Sequence, residues 1–244
     1  MTAPALQGPW ESPTDDFFDG GSLYAAKSVS DGRRRFLCGT LPRRQDYRDD
    51  GENGWAGRLL VYEIVERPGD RLGVRIPAEV EDSFGESSAL RTPQASGWES
   101  LDTGLRSVAG QVRLSLGNLP ARCLLSLHLT VPPTGRAGLW LGGDAEGKNA
   151  FRLFVDVGTQ RLIWDRGALP LGSNPEKERP YRPLSMRPGE RILLKVALDG
   201  NAAVACVNDT ICLATPMFDR RQDSFGLWAD TVGAEFHDLR LRRR

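Results

Sequence analysis

The sequence predicts an all-β protein in which a small four-stranded unit precedes a jelly-roll-like β-sandwich. Apolar and polar residues alternate along most of the 244 residues, and no long stripe with the helical period of 3.6 residues occurs. After Trp98, turn residues recur roughly every ten residues, which is typical of β-sandwiches. These two observations together favour β structure from end to end.

The first third of the chain predicts one compact antiparallel unit. Its turns lie at Ser30-Asp31-Gly32 and Arg67-Pro68-Gly69-Asp70, and a longer acidic link spans 43–54. Four antiparallel strands joined in this way amount to one blade of a β-propeller. The predicted strands are 22–30, 34–41, 57–65 and 71–76.

A polar connector, 79–99, separates this unit from the sandwich. We place the domain boundary near 92–97, which gives a first domain of residues 1–92 and a second of residues 93–244. A Pro-rich loop at 174–188 interrupts the second pattern. The predicted sandwich strands are 123–131, 137–142, 151–157, 161–164, 191–198, 203–207, 210–214, 224–229 and 234–241.

The charge balance excludes several classes of partner. Lys and Arg number 32 and Asp and Glu number 32, so the formal net charge is zero. No long-range field therefore favours nucleic acid or an anionic membrane. No apolar run approaches about 18 residues, and the N-terminus lacks the features of a signal peptide. The location stays open: cytoplasmic if the chain is complete, undetermined if it is part of a longer one.

Cysteine and histidine usage argues against metal chemistry. The chain has four cysteines and two histidines, with no Cys-x-x-Cys pair, so we expect neither a zinc site nor another cofactor. Each cysteine lies in an apolar strand-like run, as buried thiols commonly do. Cys206 and Cys212 flank the turn Asn208-Asp209, where they are either two free thiols or a cross-hairpin disulfide.

The segment Asp19–Pro42, DGGSLYAAKSVSDGRRRFLCGTLP, followed by Trp55-Ala56-Gly57, resembles a late propeller blade of the family 32 glycoside hydrolases. This is the invertase, levanase and fructanase group. The match extends in order along nearly the whole chain. The further matching segments are Gly8-Pro9-Trp10, Asp16-Phe17-Phe18-Asp19, Tyr24-Ala25-Ala26-Lys27-Ser28, Leu59–Glu63, Gly73–Pro77, Phe154-Val155-Asp156, Trp164-Asp165-Arg166, Val207-Asn208-Asp209, Phe225-Gly226-Leu227 and Phe236-His237-Asp238-Leu239-Arg240.

The resemblance implies a fold and an activity for the parent protein. Such enzymes are five-bladed propellers with a C-terminal sandwich, and they hydrolyse or transfer fructosyl groups with retention. Retention needs a nucleophilic carboxylate and a general acid about 5–5.5 Å apart. The family takes its acids from Asn-Asp-Pro, Arg-Asp-Pro and Glu-Cys motifs in earlier blades, and this sequence contains none of the three. We therefore expect a C-terminal fragment, with about one blade, that is inactive alone.

Two other roles stay open at this stage. The sandwich could be a stand-alone module that binds fructan or another oligo- or polysaccharide, or a purely structural accessory domain. A blade without neighbours would expose an apolar face and unpaired edges. Self-association is therefore expected unless the sandwich covers the blade.

Five residues are candidates for saccharide contact. In the family, the strand that holds Tyr24 and Lys27 lines the active-site funnel, and Trp55 is a candidate wall for a sugar ring. A spacing of three predicts that Tyr24 and Lys27 point to opposite faces of their strand. Trp140 and Trp164 are candidate stacking residues in the sandwich, although their apolar neighbours favour core packing.

One acidic group invites a catalytic interpretation. Asp15, Asp16 and Asp19 lie close together, and paired carboxylates can supply an acid and a base. They precede the first predicted strand, where Asp commonly caps turns. The sequence therefore favours capping over catalysis.

Overall fold

The computed structural model describes residues 3–12, 15–69, 71–165, 179–219 and 224–244. Asp70 of the second turn, Arg166 of a matched motif and the first part of the Pro-rich loop lie outside these residues. The described chain is all-β, with one short α-helix, α1 (Ala78–Asp82), and one turn of 3-10 helix at Gln45–Tyr47. Its strands are β1 (Tyr24–Ser30), β2 (Arg35–Thr40), β3 (Arg43–Arg44), β4 (Asn53–Gly54), β5 (Leu59–Arg67), β6 (Arg71–Arg75), β7 (Ser87–Ala89), β8 (Trp98–Leu101), β9 (Gly104–Ser107), β10 (Val112–Asn118), β11 (Arg122–Thr130), β12 (Arg136–Gly143), β13 (Phe151–Asp156), β14 (Arg161–Asp165), β15 (Tyr181–Pro183), β16 (Arg191–Asp199), β17 (Ala202–Val207), β18 (Ile211–Pro216), β19 (Ser224–Ala229) and β20 (Glu235–Arg243).

The first third forms a four-stranded antiparallel sheet in the order β1-β2-β5-β6. All four strands predicted in this region are confirmed, with ends shifted by one or two residues. The tight turn between β1 and β2 is held by Asp31, whose Oδ1 accepts hydrogen bonds from the backbone N–H groups of Arg33 (2.9 Å) and Arg34 (2.7 Å). This is the Asx-type turn that an Asp-Gly dipeptide favours.

The rest of the chain forms a sandwich of two sheets. One sheet has six strands in the order β10-β19-β12-β13-β14-β15. The other has eight, in the order β18-β17-β16-β11-β20-β9-β8, with β7 also paired to β20. All nine predicted sandwich strands are confirmed. Strands β8, β9, β10 and β15 were not predicted, because they are short or rich in polar residues.

The sandwich core lies between the two inner faces. Strand β16 shows how the sequence builds it: buried and half-exposed residues alternate along nearly its whole length, as expected for a strand with one face inward. Ile192, Leu194, Val196 and Leu198 supply the buried face. This core lies apart from a second apolar cluster that joins the two parts of the chain.

The second cluster, the junction core, lies between the four-stranded sheet and the outer face of β17 and β18. Strand β17 is buried at all six residues because both of its faces are covered. One face belongs to the sandwich core and the other contacts the four-stranded sheet. The junction core consists of Leu37, Leu41, Leu60, Tyr62, Val74, Ile76, Ala202, Val204, Cys206, Cys212 and Ala214.

The junction core bears on the exposure expected for a lone blade. The sandwich covers one face of the four-stranded sheet. Self-association through that face is therefore not expected. One edge is also tied down, since the Val74 N–H donates to the Thr210 carbonyl at 3.0 Å. The opposite edge, β1, has six of its seven residues exposed.

The connector runs along the sandwich. The Gly85 N–H donates to the Arg243 carbonyl at 2.7 Å, and Ser87–Ala89 adds a strand beside β20. The polar connector is thus partly helix and partly strand, which polar composition alone did not predict. The boundary near 92–97 stays a prediction.

The cysteines are free thiols in the structure. Cys206 and Cys212 lie opposite each other across β17 and β18, and both are fully buried in the junction core. Burial raises the pKa of the Cys212 thiol, whose Sγ donates to the Val74 carbonyl at 3.3 Å. Cys38 is half-buried.

This arrangement predicts the thiol reactivity of the folded protein. Cys38 should react with a thiol reagent such as DTNB, whereas the other three should react only after denaturation, because their sulfur atoms are buried and out of reach of the reagent. Four thiols should titrate in guanidinium chloride. Modification of Cys206 or Cys212 in the native protein, mapped by mass spectrometry, would contradict the junction core as described.

Candidate functional site

Tyr24 and Lys27 lie on the same face of β1. Tyr24 pairs with Thr40 and Lys27 pairs with Cys38, and these two partners are two residues apart on β2. The prediction of opposite faces is therefore wrong. A β-bulge causes the difference: Ala25 has a left-handed backbone (φ 52°) and shifts the register by one residue between Tyr24 and Lys27.

Trp55 lies against Tyr24. The two ring centroids are 6.2 Å apart, with the planes at 81° in an edge-to-face contact. Tyr24 is 56% exposed and Trp55 is 85% exposed. Large aromatic groups left in water in this way commonly mark a binding surface. Both side chains and Lys27 are exposed. The register puts Tyr24 and Lys27 on the face of the sheet opposite to Leu37, which packs in the junction core; we call it the open face.

The local backbone explains why Trp55 points outward. A Cβ at Gly57 would overlap the Leu41 carbonyl oxygen, so only glycine fits there. The Leu41 N–H in turn donates to the Arg58 carbonyl at 2.8 Å, which fixes the start of β5 against the end of β2. Ala56, with φ 62°, completes the turn and leaves the indole outside it.

Trp55 also borders a cleft at the end of the junction core. The cleft has a volume of about 200 Å³ and is lined from both parts of the chain. We call it the aromatic cleft; its lining includes Arg43, Tyr47, Trp55, Arg58 and Asn201.

Arg58 ties the two sides of the aromatic cleft together. Its Nε donates to Asn201 Oδ1 at 3.1 Å and its Nη1 donates to Asp199 Oδ2 at 3.1 Å. Arg58 comes from the four-stranded sheet side and both partners come from the β16–β17 turn. The pair is half-exposed, so it orients the side chains more than it stabilises the fold.

Tyr47 reaches the cleft on the acidic link 43–54. Its acidic composition is typical of a solvated loop, but the link is attached to the sandwich. The Asp49 N–H donates to Asp219 Oδ2 at 2.7 Å, and the Asp219 N–H donates to the Tyr47 carbonyl at 3.1 Å. Asp46 and Tyr47 both have left-handed backbones, φ 53° and 54°. Non-glycine residues in this region are uncommon and often occur at functional sites.

The acidic group near the N-terminus has a structural role. Asp19 caps the turn before β1, as predicted: its Oδ2 accepts from the Ser22 N–H at 3.1 Å and the Leu23 N–H at 3.0 Å. Its Oδ1 accepts from the Ala214 N–H at 2.7 Å and from the Tyr62 hydroxyl at 3.3 Å. Burial of this carboxyl outweighs those hydrogen bonds and raises the pKa of Asp19.

Asp15 is bound by two arginines. Both of its carboxylate oxygens accept from Arg182 Nη2, at 2.9 and 2.8 Å, and Oδ2 also accepts from Arg67 Nη1 at 3.3 Å. Asp15 and Asp19 therefore anchor the N-terminal segment to the four-stranded sheet and to both sheets of the sandwich. The described residues contain no group of three or more His, Cys, Asp or Glu side chains placed to hold a metal ion.

Trp140 and Trp164 are buried, with relative exposures of 0% and 1%. Trp164 Nε1 donates to the Leu213 carbonyl at 2.9 Å inside the sandwich core. Trp140 packs on the outer side of the six-stranded sheet with Phe154 and Trp228. Neither indole presents a ring face to solvent in this structure, which favours core packing for both.

Solved structures with the same fold identify the architecture. A fructosyltransferase from A. japonicus superimposes with a TM-score of 0.67 at 17% identity, over 96% of this chain and 46% of its own. The chain has the fold of part of a family 32 glycoside hydrolase. Fructan 1-exohydrolase IIa from Cichorium intybus gives 0.70 at 16% identity over 93% and 48%, and an exo-inulinase from Aspergillus awamori gives 0.67 at 14% over 96% and 45%.

These matches confirm the resemblance at the level of the fold. The chain spans slightly under half the length of each of these structures. No family model matches the sequence, and neither does any curated protein. Within the described residues no helix is both long and apolar enough to cross a membrane.

Tyr47, Arg58 and Asn201 are residues that sequence reasoning missed. Asn201 belongs to a hairpin turn and Arg58 directly follows the Trp55-Ala56-Gly57 motif, and neither position carries a local signal for binding. Only the packing of the two parts of the chain brings them together beside Trp55. Among the sequence candidates, the structure brings Tyr24 and Trp55 into contact and puts Lys27 on the same strand face as Tyr24.

Proposed function

We propose that this chain is the C-terminal part of a family 32-like glycosidase that acts on fructose-containing saccharides. In this proposal it supplies a saccharide-binding wall and not the reacting carboxylates. The observation that carries it is the match of 93–96% of the chain to 45–48% of proteins named for fructan or fructosyl chemistry. The sequence lacks the three motifs that carry the family's catalytic acids. This supports the proposal that the chain does not supply the reacting carboxylates.

The wall consists of Tyr24, Lys27 and Trp55. Two exposed aromatic rings in edge-to-face contact supply apolar area for the C–H faces of a sugar, and an ammonium on the same strand face can donate to hydroxyl groups. Such a mix of aromatic area and few polar groups is typical of small-molecule sites. In the parent, the remaining blades would complete the pocket.

The first prediction concerns the reaction. The 244-residue chain, incubated with sucrose, inulin or levan, should release no fructose above the blank, because the proposed nucleophile and general acid belong to other blades. A commercial invertase in the same buffer is the control. Sustained fructose release at a rate proportional to the protein concentration would overturn the proposal that the catalytic carboxylates lie in other segments of the parent.

A second role is favoured by the junction core. Its eleven buried residues come from both parts of the chain, so the sandwich also braces the four-stranded sheet. Bracing and saccharide binding use different surfaces and are compatible. If the chain binds no saccharide and releases no fructose, bracing would be the role that remains.

A further inference from the structure

We infer that the aromatic cleft is a second saccharide contact, which holds one ring of a neutral oligosaccharide between the two parts of the chain. This rests on the proposed function, since it gives the same saccharide a second point of attachment beyond the wall formed by Tyr24, Lys27 and Trp55. Trp55 borders both places. A chain of linked sugars that leaves the wall would therefore enter the cleft beside the same indole.

The aromatic side chains of the cleft are unusually open. Trp55 is 85% exposed and Tyr47 is 51% exposed, although burial of aromatic side chains of this size is energetically favourable. Both lie beside backbone in the left-handed region, at Ala56 and at Tyr47 itself, and Tyr47 is attached to the sandwich through Asp219. The backbone thus places these two exposed rings beside the aromatic cleft.

The polar groups of the cleft suit a neutral polyol. Arg58 uses Nε and Nη1 on Asn201 and Asp199, and among the described residues its Nη2 and the Asn201 Nδ2 have no hydrogen-bond partner. These N–H groups can donate to hydroxyl and ring oxygens. The Asp199 carboxylate pairs with Arg58 through Oδ2 at 3.1 Å and with Arg122 through Oδ1 at 2.8 Å. The cleft therefore keeps some positive charge from Arg43 and Arg58, so neutral and anionic sugars have to be compared by experiment.

The size of the cleft limits what it can hold. Its volume of about 200 Å³ is below the roughly 300–1,000 Å³ of pockets that enclose a whole ligand. One sugar ring with its neighbours left outside is therefore the occupant that fits best. A fructo-oligosaccharide such as 1-kestose, or the end of an inulin chain, provides such a ring.

The test is titration calorimetry of the full chain with 1-kestose and with inulin. Tyr47→Ala should weaken inulin binding about five- to tenfold through loss of ring contact, whereas Tyr47→Phe should bind like the wild type. Asn201→Ala should weaken it about three- to tenfold through a lost donor. Trp10→Ala removes an aromatic ring of similar exposure outside the cleft (53% for Trp10, 51% for Tyr47) and is the matched control, expected to leave the affinity unchanged. Melting temperatures verify that each variant folds.

The outcomes separate this inference from the proposed function. Inulin affinity that falls with Tyr24→Ala but not with Tyr47→Ala or Asn201→Ala would overturn the cleft and leave the wall standing. No binding of any saccharide by the wild type would overturn both. Fructose 6-phosphate that binds far more tightly than 1-kestose at low salt, and loses that advantage at high salt, would overturn the neutral ring, because screening weakens ionic contacts and hardly affects neutral ones.

Discussion

Asp19→Ala is expected to destabilise the protein by about 3–5 kcal/mol, because it leaves several buried donors without an acceptor. The carboxylate is 5% exposed and accepts from three backbone N–H groups and from the Tyr62 hydroxyl. Urea unfolding monitored by tryptophan fluorescence measures the change. Asp16→Ala, an exposed neighbour, is the control and should cost well below about 0.5 kcal/mol. A cost below about 1 kcal/mol for Asp19→Ala would contradict the anchoring role.

The same residue predicts a sign for the pH dependence. The pKa of Asp19 is raised in the folded state from the ordinary 3.8, so its stabilising contribution is fully present below pH 3.8. It is lost as the pH rises through the folded pKa. The stability advantage of the wild type over Asp19→Asn should therefore shrink as the pH is raised from 3.8. An advantage that grows over that range would contradict a carboxyl dominated by burial.

Trp164→Ala should cost about 4–5 kcal/mol, the upper end for large-to-small changes in a core. The indole is 1% exposed, and its removal leaves a cavity and an unpaired Leu213 carbonyl. Trp55→Ala is the matched control and should change the unfolding free energy by less than about 1 kcal/mol, since this indole is 85% exposed. If Trp164→Ala kept its stability and lost saccharide binding, core packing would be the wrong assignment for Trp164.

The local sequence pattern predicted most of the strands, because a half-buried strand has alternating apolar and polar residues. Strands β16 and β11 show this clearly. Strand β17, AAVACV, has no polar residue, and its burial on both faces became evident only once the four-stranded sheet was seen to cover it. Burial imposed by another part of the chain leaves little local periodicity to read.

The candidate site was predictable only in part, and the reason is geometric. Tyr24 and Trp55 were found from their motifs, but the bulge at Ala25, which puts Lys27 on the same strand face as Tyr24, uses an alanine in a left-handed conformation that alanine rarely adopts. Residues such as Tyr47 and Asn201 are 154 positions apart and share the cleft through tertiary packing alone. No short sequence window contains that information.

The junction core couples the two parts of the chain through shared buried contacts. Tyr62 from the four-stranded sheet and Ala214 from the sandwich both bond to Asp19, and Cys206 and Cys212 face the same cluster. Buried contacts of this kind favour cooperative unfolding of neighbouring units. Tyr24 and Lys27, which we propose as part of a saccharide-binding wall, therefore lie on a sheet that the sandwich supports.

We propose that this chain binds a fructose-containing saccharide through exposed aromatic side chains. Affinity electrophoresis in native gels that contain inulin or levan tests it most directly, with dextran gels as the reference. We predict that the wild-type chain is retarded by the fructans and that Trp55→Ala migrates as in a gel without polysaccharide. Unretarded migration of the correctly folded wild-type chain in both fructans would contradict the claim.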